Sequence, residues 1–368
     1  MTHTVQAKET LFSISKKYGL TVEQLMKVNN LLSNNLFIGQ NLVISLPSPV
    51  TPNVPAKPVV SSYLDTRKAF VVNKQPKGTF NNYTISFPSP NGTIITGLFR
   101  DNYPSPNRVN AKGISYTGKS LFDTNRTLFA DLCQQNYYLE VLHHIAKNEG
   151  CFDAINSYDK AIFSFGFIQF TGAKASGAML TRVLQRFKLR DEYAFNDCFT
   201  QYGINIQSDK VPIFKVATPA ITLEDDAAYT EVANNLQLTG AFIASGFRRS
   251  MIRAQVEIAL EEYVLKAVSP TVMLNFKGQS VPLNNVLKTE GGFALRIDLC
   301  VNRGLTGSLS VLKTAIEKVA QESGITTAVG LAKINERRVV EVLAMNETDT
   351  LKRDRTLKLL NEGFSFWK

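Results

Sequence analysis

The 368-residue sequence predicts an α+β fold that is divided into several parts. Five prolines within residues 47–60 indicate an extended, semi-rigid linker. Short β-type runs alternate with Asn-Gly and Pro turns across residues 61–118, and from about residue 120 apolar residues recur at helical spacing. We therefore expect a small module over residues 1–46, the Pro-rich linker, a β-rich extension or subdomain of two to four strands, and a mostly helical domain over residues 119–368.

Helical periodicity in the C-terminal domain predicts eight helices. They are expected near residues 125–149, 174–189, 228–245, 249–267, 292–302, 308–322, 331–345 and 348–362. A run of alternating side chains predicts a short β element near residues 155–170, after the first of these helices. In the β-rich segment before them, Asn91-Gly92 predicts a hairpin turn.

The net charge of +10 predicts a polyanionic partner. Because Lys and Arg are dispersed and form no basic run, we do not expect that partner to be a nucleic acid. A bacterial wall is also anionic, through peptide carboxylates and teichoic phosphates, and a diffuse positive charge would raise the rate of encounter with it. No stretch of ~18 apolar residues is present, so the sequence predicts no membrane span.

The cysteines and histidines do not form a metal-binding pattern. Cys133, Cys151, Cys198 and Cys300 are widely spaced, which is typical neither of a metal site nor of a disulfide framework. The chain has three histidines, and no cysteine or carboxylate lies at ligand spacing from them, so a catalytic zinc is not expected. The sequence therefore predicts no cofactor and argues against a metal-dependent amidase or peptidase.

The N-terminal module carries an ordered set of short motifs, His3-Thr4-Val5, Glu9-Thr10-Leu11, Tyr18-Gly19 and Gly39-Gln40-Asn41-Leu42-Val43-Ile44. This order resembles a LysM module, the small βααβ domain that binds N-acetylglucosamine in peptidoglycan or chitin. The resemblance implies peptidoglycan glycan strands as the partner, and it implies glycan contacts from five residues: Thr10, Leu11, Asn29, Asn30 and Leu31. Ala7-Lys8-Glu9-Thr10 replaces the usual Gly-Asp-Thr turn, and we expect Glu9 to cap the helix that follows.

The LysM-like pattern begins at residue 3, which leaves no room for a signal peptide. We therefore expect synthesis in the cytoplasm and action on the cell wall after lysis or after delivery by a particle. LysM modules also join parts of phages and of contractile injection systems. Subunits of such a particle are the alternative partners, and a non-catalytic structural component is the alternative function.

The first long helix of the C-terminal domain ends in a carboxylate. Glu149 follows Leu142, Ile145 and Ala146 at helical spacing, so it shares their apolar face, and Gly150 then ends the helix. Apolar burial and the negative end of the helix dipole would both raise the pKa of Glu149. A raised pKa is what a glycosidase general acid requires. The competing interpretation is a solvated helix-end carboxylate that pairs with a surface lysine.

A polar loop and an alternating run follow this helix. Phe163, Phe165 and Phe167 are expected to point one way, which leaves Ser164 and Gly166 as a small, open face that a sugar ring can approach. A helix that ends in Glu before such an element resembles the lysozyme superfamily, which includes phage-type lysozymes, lytic transglycosylases and chitosanase-like hydrolases. The fold implied is therefore a lysozyme-like domain.

The same resemblance implies the roles of the site residues. Glu149 matches the proton donor, and Asp159 best matches a second carboxylate, with Asp153 as its competitor. Ser164 and Gln169 would orient a water or the 2-acetamido group. Asp159 has an alternative role in a turn, and Asp298, within an apolar helix, is expected to form a buried pair.

These residues together predict a muramidase that cleaves the β-1,4 bond between N-acetylmuramic acid and N-acetylglucosamine. If Asp159 is structural, the substrate's own acetamide could assist the reaction. The product would then be a 1,6-anhydro sugar, as in a lytic transglycosylase.

Overall fold

The computed structural model describes residues 2–6, 9–20, 22–29, 36, 39–44, 70–88, 94–101, 113–133, 135–208 and 211–367. The chain forms two compact units, Met1–Thr66 and Arg67–Lys368. The predicted linker over residues 47–60 lies outside the described residues. Within the described residues, no helix combines the length and the apolar character needed to cross a bilayer.

The smaller unit has the order strand, helix, helix, strand, with the bounds β1 Thr2–Thr4, α1 Leu11–Lys17, α2 Val22–Val28 and β2 Asn41–Val43. Strands β1 and β2 pair antiparallel, with His3 opposite Leu42. Buried apolar side chains from the helices, β2 and the adjoining turns form its core: Val5, Leu11, Ile14, Leu20, Leu25, Leu42 and Ile44. The βααβ order expected from the resemblance is present.

Helix α1 begins with a capping box. The backbone N–H of Ser13 donates to Thr10 Oγ1 at 3.1 Å, and the backbone N–H of Thr10 donates to Ser13 Oγ at 2.9 Å. The prediction that Glu9 caps this helix is wrong. Its carboxylate accepts from the backbone N–H of Gln6 at 2.8 Å and lies 2.7 Å from His3 Nε2.

A seven-stranded antiparallel sheet begins the larger unit. Its strands pair in chain order: β3 Val71–Lys77, β4 Phe80–Pro88, β5 Ile94–Arg100, β6 Ser115–Tyr116, β7 Ile155–Asn156, β8 Ser164–Phe165 and β9 Phe170–Thr171. Arg100 opposite Ser115 joins β5 to β6, so the β-rich segment continues into the predicted β element. The expected strands of residues 61–118 therefore extend the sheet of the following domain, while Asn91-Gly92 lies outside the described residues.

Helices and two further small sheets complete the larger unit. The helices are α3 Phe122–Asn125, α4 Asn136–Glu149, α5 Met179–Arg190, α6 Glu192–Cys198, α7 Asp225–Asn234, α8 Leu236–Ser245, α9 Arg249–Ala259, α10 Leu265–Ala267, α11 Glu290–Glu322, α12 Glu336–Asn346 and α13 Thr350–Lys358. A π-helical segment, Leu260–Val264, joins α9 to α10. The antiparallel sheets are β10 Ile204–Gln207, β11 Ile213–Ala217 and β12 Thr222–Glu224, then β13 Met273–Phe276 and β14 Gln279–Pro282.

The helical periodicity predicts most of these helices and misses the two small sheets. The two helices expected at 292–302 and 308–322 are the halves of α11, which breaks at Gly304 where φ is 68°. The first predicted helix begins at residue 136 rather than 125, because short turns of helix occupy most of 122–132. Strands β10 to β14 are missed because each offers only three to five residues of pattern.

Helix α8 packs against the β7–β9 part of the sheet. Every residue from Leu238 to Ser245 of α8 is buried, as expected for a helix that is apolar on all sides. The Phe242 ring lies 4.9 Å from that of Phe163 and 5.3 Å from that of Phe165. These contacts fix the β7–β9 hairpins against the helices and thereby set where their turns lie.

Candidate active site

Glu149 lies at the C-terminal end of helix α4 and is partly exposed. Leu142, Ile145 and Ala146 are buried, as the periodicity predicts, and Glu149 is the last helical residue. Gly150 has φ 143°, and a Cβ on it would lie 2.8 Å from that of Ala154. The turn after Glu149 therefore requires glycine, and it brings the chain directly from the helix into the β7–β9 hairpins.

Glu149 is not the apolar, unpartnered carboxylate that the sequence predicts. Its side chain is 24% exposed, and Oε1 accepts a hydrogen bond from Nη1 of Arg355 on α13. Burial alone would lower the pKa of Arg355, but Asp298 and Glu149 outweigh it and raise that pKa above its ordinary value. The partner is thus a buried arginine that stays charged, rather than the surface lysine of the competing interpretation.

Two further groups complete the surroundings of Glu149. Asp298 accepts from Arg355 Nε at 2.8 Å and is almost fully buried, so the expected buried pair is present. Burial raises the pKa of Tyr263, in the π-helical segment, to about 12, and the nearby carboxylates of Glu262 and Glu149 add to the rise. Tyr263 therefore keeps its proton near neutral pH and is a neutral phenol in the surroundings of Glu149.

Gln169 is the predicted site residue that the structure brings to the end of α4. It lies in the turn between β8 and β9 with φ 54°, and its Nε2 donates to the carbonyl of Gly166 at 2.9 Å. The same Nε2 lies 3.9 Å from the position that a Cβ on Gly150 would occupy. The Gln169 amide is therefore next to the residue that follows Glu149.

Ser164 does not lie on an open face. Its side chain is 2% exposed, and it sits in the middle strand of the hairpins, opposite Asn156 and Thr171. Gly166 is covered by Gln255 of α9, because a Cβ on Gly166 would lie 2.1 Å from Gln255 Oε1. The prediction of a small, open face is wrong, since the core covers both sides of the alternating run.

Asp159 occupies the loop between β7 and β8. Its Oδ1 accepts from the backbone N–H of Ala161 at 2.8 Å, and its Oδ2 accepts from Asn156 Nδ2 at 3.0 Å. Gly166, by contrast, bonds back to Ala154, which places the β8–β9 turn at the end of the hairpin nearest Glu149. Asp159 is therefore at the opposite end, where it holds a turn.

Asp153, the competing second carboxylate, is also committed to the fold. Its side chain is fully buried and accepts hydrogen bonds of 2.8 Å from Tyr116 Oη and from the backbone N–H groups of Lys119 and Ser120. Burial raises the pKa of Asp153, although these hydrogen bonds oppose the rise. The structure brings neither Asp153 nor Asp159 to Glu149 as a free carboxylate.

Three of the predicted glycan-binding residues hold the smaller unit together. Leu11 is 2% exposed in its core, and Thr10 is exposed but uses its hydroxyl as the helix cap. Asn29 Nδ2 donates to the carbonyls of Leu25 at 2.9 Å and Val43 at 2.8 Å, and its Oδ1 accepts from the Val43 N–H. Asn30 and Leu31 lie outside the described residues.

Sequence reasoning missed two residues that these surroundings single out. Phe12 follows Leu11 and exposes 68% of its side chain, although an aromatic side chain on a solvent-facing helix position is a readable signal. Arg355 reaches Glu149 across 206 residues of sequence, and no local pattern announces that contact. Among the described residues, no three His, Cys, Asp or Glu side chains group as metal ligands.

The smaller unit has a family match. Residues 3–45 match the family model of the LysM domain. The N-terminal unit is a LysM domain. Similar proteins include a probable endopeptidase of Listeria seeligeri, 44% identical over 43 residues, and a probable N-acetylmuramidase of Lactococcus lactis subsp. lactis, 47% identical over 47 residues. An N-acetylmuramoyl-L-alanine amidase of Staphylococcus aureus is 44% identical over 52 residues.

These similarities are confined to the LysM region. They cover 12%, 13% and 14% of this chain and 8%, 11% and 16% of the three relatives, respectively. Because the relatives are named for three different activities, the LysM domain does not by itself determine the chemistry of the larger unit. No solved structure matches the chain.

Proposed function

We propose that the chain is a peptidoglycan hydrolase whose LysM domain binds the wall. Its larger unit would cleave the β-1,4 bond between N-acetylmuramic acid and N-acetylglucosamine. The proposal rests on the position of the Gln169 amide beside Gly150, the residue that follows Glu149, in a chain that carries a LysM domain. The names of the LysM relatives, a probable N-acetylmuramidase and an N-acetylmuramoyl-L-alanine amidase among them, support the same setting.

Glu149 is the proposed general acid. Its side chain is partly exposed, so it can reach a glycosidic oxygen and donate a proton to it. Arg355 fixes the direction of the carboxylate through Oε1, which leaves Oε2 to carry the proton. The Gln169 amide, held by Gly166, would orient a water or the 2-acetamido group beside that proton.

The position of the other carboxylates favours a second candidate reaction. Asp159 is bonded into its turn at the far end of the hairpin, and Asp153 is buried. If no carboxylate assists Glu149, the substrate's own acetamide stabilises the oxocarbenium-like transition state. The C6 hydroxyl of the same N-acetylmuramic acid would then attack C1 and give its proton to the Glu149 carboxylate, which has already protonated the leaving oxygen. The product carries a 1,6-anhydro ring, which is the outcome of a lytic transglycosylase.

In the LysM domain, Phe12 is the proposed glycan contact. Its exposed ring offers a flat apolar surface against which the C–H face of a sugar ring can pack. The net charge of +10 would add attraction to the anionic wall, and this attraction would weaken as salt is raised. Thr10, Leu11 and Asn29 would support the site from within the fold.

The test is to digest purified peptidoglycan with the full chain and to identify the soluble products by mass spectrometry. We expect disaccharide muropeptides with either a reducing end or a 1,6-anhydro end, and the end distinguishes muramidase from transglycosylase. Free peptides in place of glycan fragments would contradict the proposal and indicate an endopeptidase or amidase. A chain that binds the wall and releases nothing would be a non-catalytic component, as in a phage or injection particle.

A further inference from the structure

Arg355 is shared by two carboxylates of unequal exposure. Its Nη1 donates to Glu149 Oε1, while Nε donates to Asp298 Oδ1 at 2.8 Å and Nη2 lies 2.6 Å from the same oxygen. The side chain of Arg355 is 9% exposed and that of Asp298 is 2% exposed, whereas Glu149 is 24% exposed. The charge of one buried guanidinium is thus divided between a buried acid and the accessible acid of the proposed site.

The other side of Asp298 faces helix α4. The Nε2 of His144, a fully buried residue five positions before Glu149 on α4, lies 3.7 Å from Asp298 Oδ1. Its Nδ1 lies 2.6 Å from Glu362, which Lys147 also approaches at 3.6 Å. Asp298 is therefore held between groups from α13 and α4. If its carboxylate turned away from Arg355, the buried cation would keep only the partly exposed Glu149 as a carboxylate partner among these groups.

We propose that Asp298 is a positioning residue that controls Glu149 through Arg355, an inference that rests on the proposed function of Glu149. A general acid has to carry its proton when the substrate is bound. A guanidinium that is hydrogen bonded to a carboxylate favours the ionised form. Asp298 competes for that cation and so limits its effect on Glu149, while it keeps the arginine in place.

The test is the pH dependence of kcat for glycan release by the 368-residue chain. Asp298→Asn keeps the shape of the side chain but leaves the whole charge of Arg355 to Glu149. We expect the alkaline limb of the profile to move to lower pH by about one unit, kcat near neutral pH to fall about tenfold and KM to stay unchanged. Arg355→Met removes the cation, and its alkaline limb should move to higher pH.

Two other titratable groups near the site, Tyr263 from the π-helical segment and His144 from α4, are not altered by these substitutions. Asp354→Asn is the matched control, because it removes the same charge from an exposed position on α13 and should leave the profile unchanged. The deciding comparison is the double variant Asp298→Asn/Arg355→Met. If Asp298 acts through Arg355, the double variant and Arg355→Met have the same pH profile.

Three results would overturn the inference. An Asp298→Asn protein that melts at a lower temperature but keeps the wild-type profile would make Asp298 a structural residue only. A shift of the same size with and without Arg355 would show that Asp298 does not act through the arginine. A wild-type protein that releases no glycan fragments would overturn the proposed function as well, so the wild-type digest separates the two failures.

Discussion

The LysM domain and the larger unit use their polar side chains differently. In the LysM domain, Thr10 and Asn29 make hydrogen bonds that span 3 to 14 residues of sequence, cap α1 and join α2 to β2. In the larger unit, Arg355 reaches Glu149 across 206 residues of sequence, and Gln169 lies beside Gly150 at the end of α4. Motif residues of the small module therefore serve mainly its fold, whereas the candidate active site is assembled by long-range contacts.

Gln255 gives the largest expected effect on stability. It is fully buried, donates to the carbonyl of Phe152 at 2.9 Å and accepts from the N–H of Phe167 at 3.2 Å. Gln255→Leu leaves both backbone groups unpaired in the core, so we expect the larger unit to lose about 3 kcal/mol in the free energy of unfolding. Denaturant unfolding of the full chain measures this change.

Gln321→Leu is the control for that change, because Gln321 is exposed on α11 and should alter the free energy by about 0.5 kcal/mol or less. Equal stability of the two variants would mean that the β7–β9 hairpins do not depend on the hydrogen bonds from Gln255 of α9. The larger unit would then resemble the LysM domain, with each element held mainly by its neighbours in sequence.

In the LysM domain, Asn29 plays the part that Gln255 plays in the larger unit, because its side chain also bonds to backbone groups of two segments. Asn29→Ala removes the bonds to Leu25 and Val43, and we expect a loss of about 2 kcal/mol that is confined to this domain. Asn41→Ala, which removes an exposed hydrogen bond to Thr4, should cost only about 0.5 kcal/mol. Hydrogen exchange of the LysM amides in the full chain distinguishes the two, and a variant that loses wall binding at full stability would restore Asn29 as a glycan ligand.

Phe12, unlike Asn29, is expected to affect binding to the wall but not the stability of the LysM domain. Phe12→Ala should weaken binding to purified peptidoglycan by up to about tenfold and leave unfolding unchanged, because the ring is exposed and packs on little else. Val43→Ala, at an exposed apolar position on β2, is the control. Wall depletion assays at fixed salt give the comparison. Unchanged binding by Phe12→Ala would move the glycan contact to another part of the domain.

The smallest expected effect is a loss of stability of the LysM domain at acid pH. The Gln6 N–H and His3 lower the pKa of Glu9 below its ordinary value of 4.5. A carboxyl with a lowered pKa stabilises the fold above its unfolded pKa, and this contribution disappears as the pH falls through the folded value. The LysM domain should therefore lose stability below about pH 4.5, and Glu9→Gln should remove part of that dependence. If the melting temperatures of both proteins fell by the same amount from pH 6 to pH 3, this explanation would be wrong.

The sequence predicts those elements whose pattern of apolar residues or motifs is continuous over many residues. The periodicity of α4, the break between the halves of α11 and the order of the LysM elements are all readable in this way. The role of Gln169 beside Glu149 stays a prediction, although its amide does lie next to Gly150. The sequence cannot predict the hydrogen bond from Arg355 to Glu149 or the contact of Gln255 with Gly166. Both contacts join segments that are far apart in sequence, and neither side chain belongs to a helical or strand periodicity.

The most direct test of this account is the rate of glycan release by Glu149→Gln compared with that by Glu140→Gln. Both residues lie on α4, but Glu140 is 46% exposed and pairs with Arg126, away from the hairpins. We predict a loss of about 10²- to 10⁴-fold for Glu149→Gln and almost none for Glu140→Gln, with similar melting temperatures. Full activity of Glu149→Gln would contradict the account, because the end of α4 would then not be the active site.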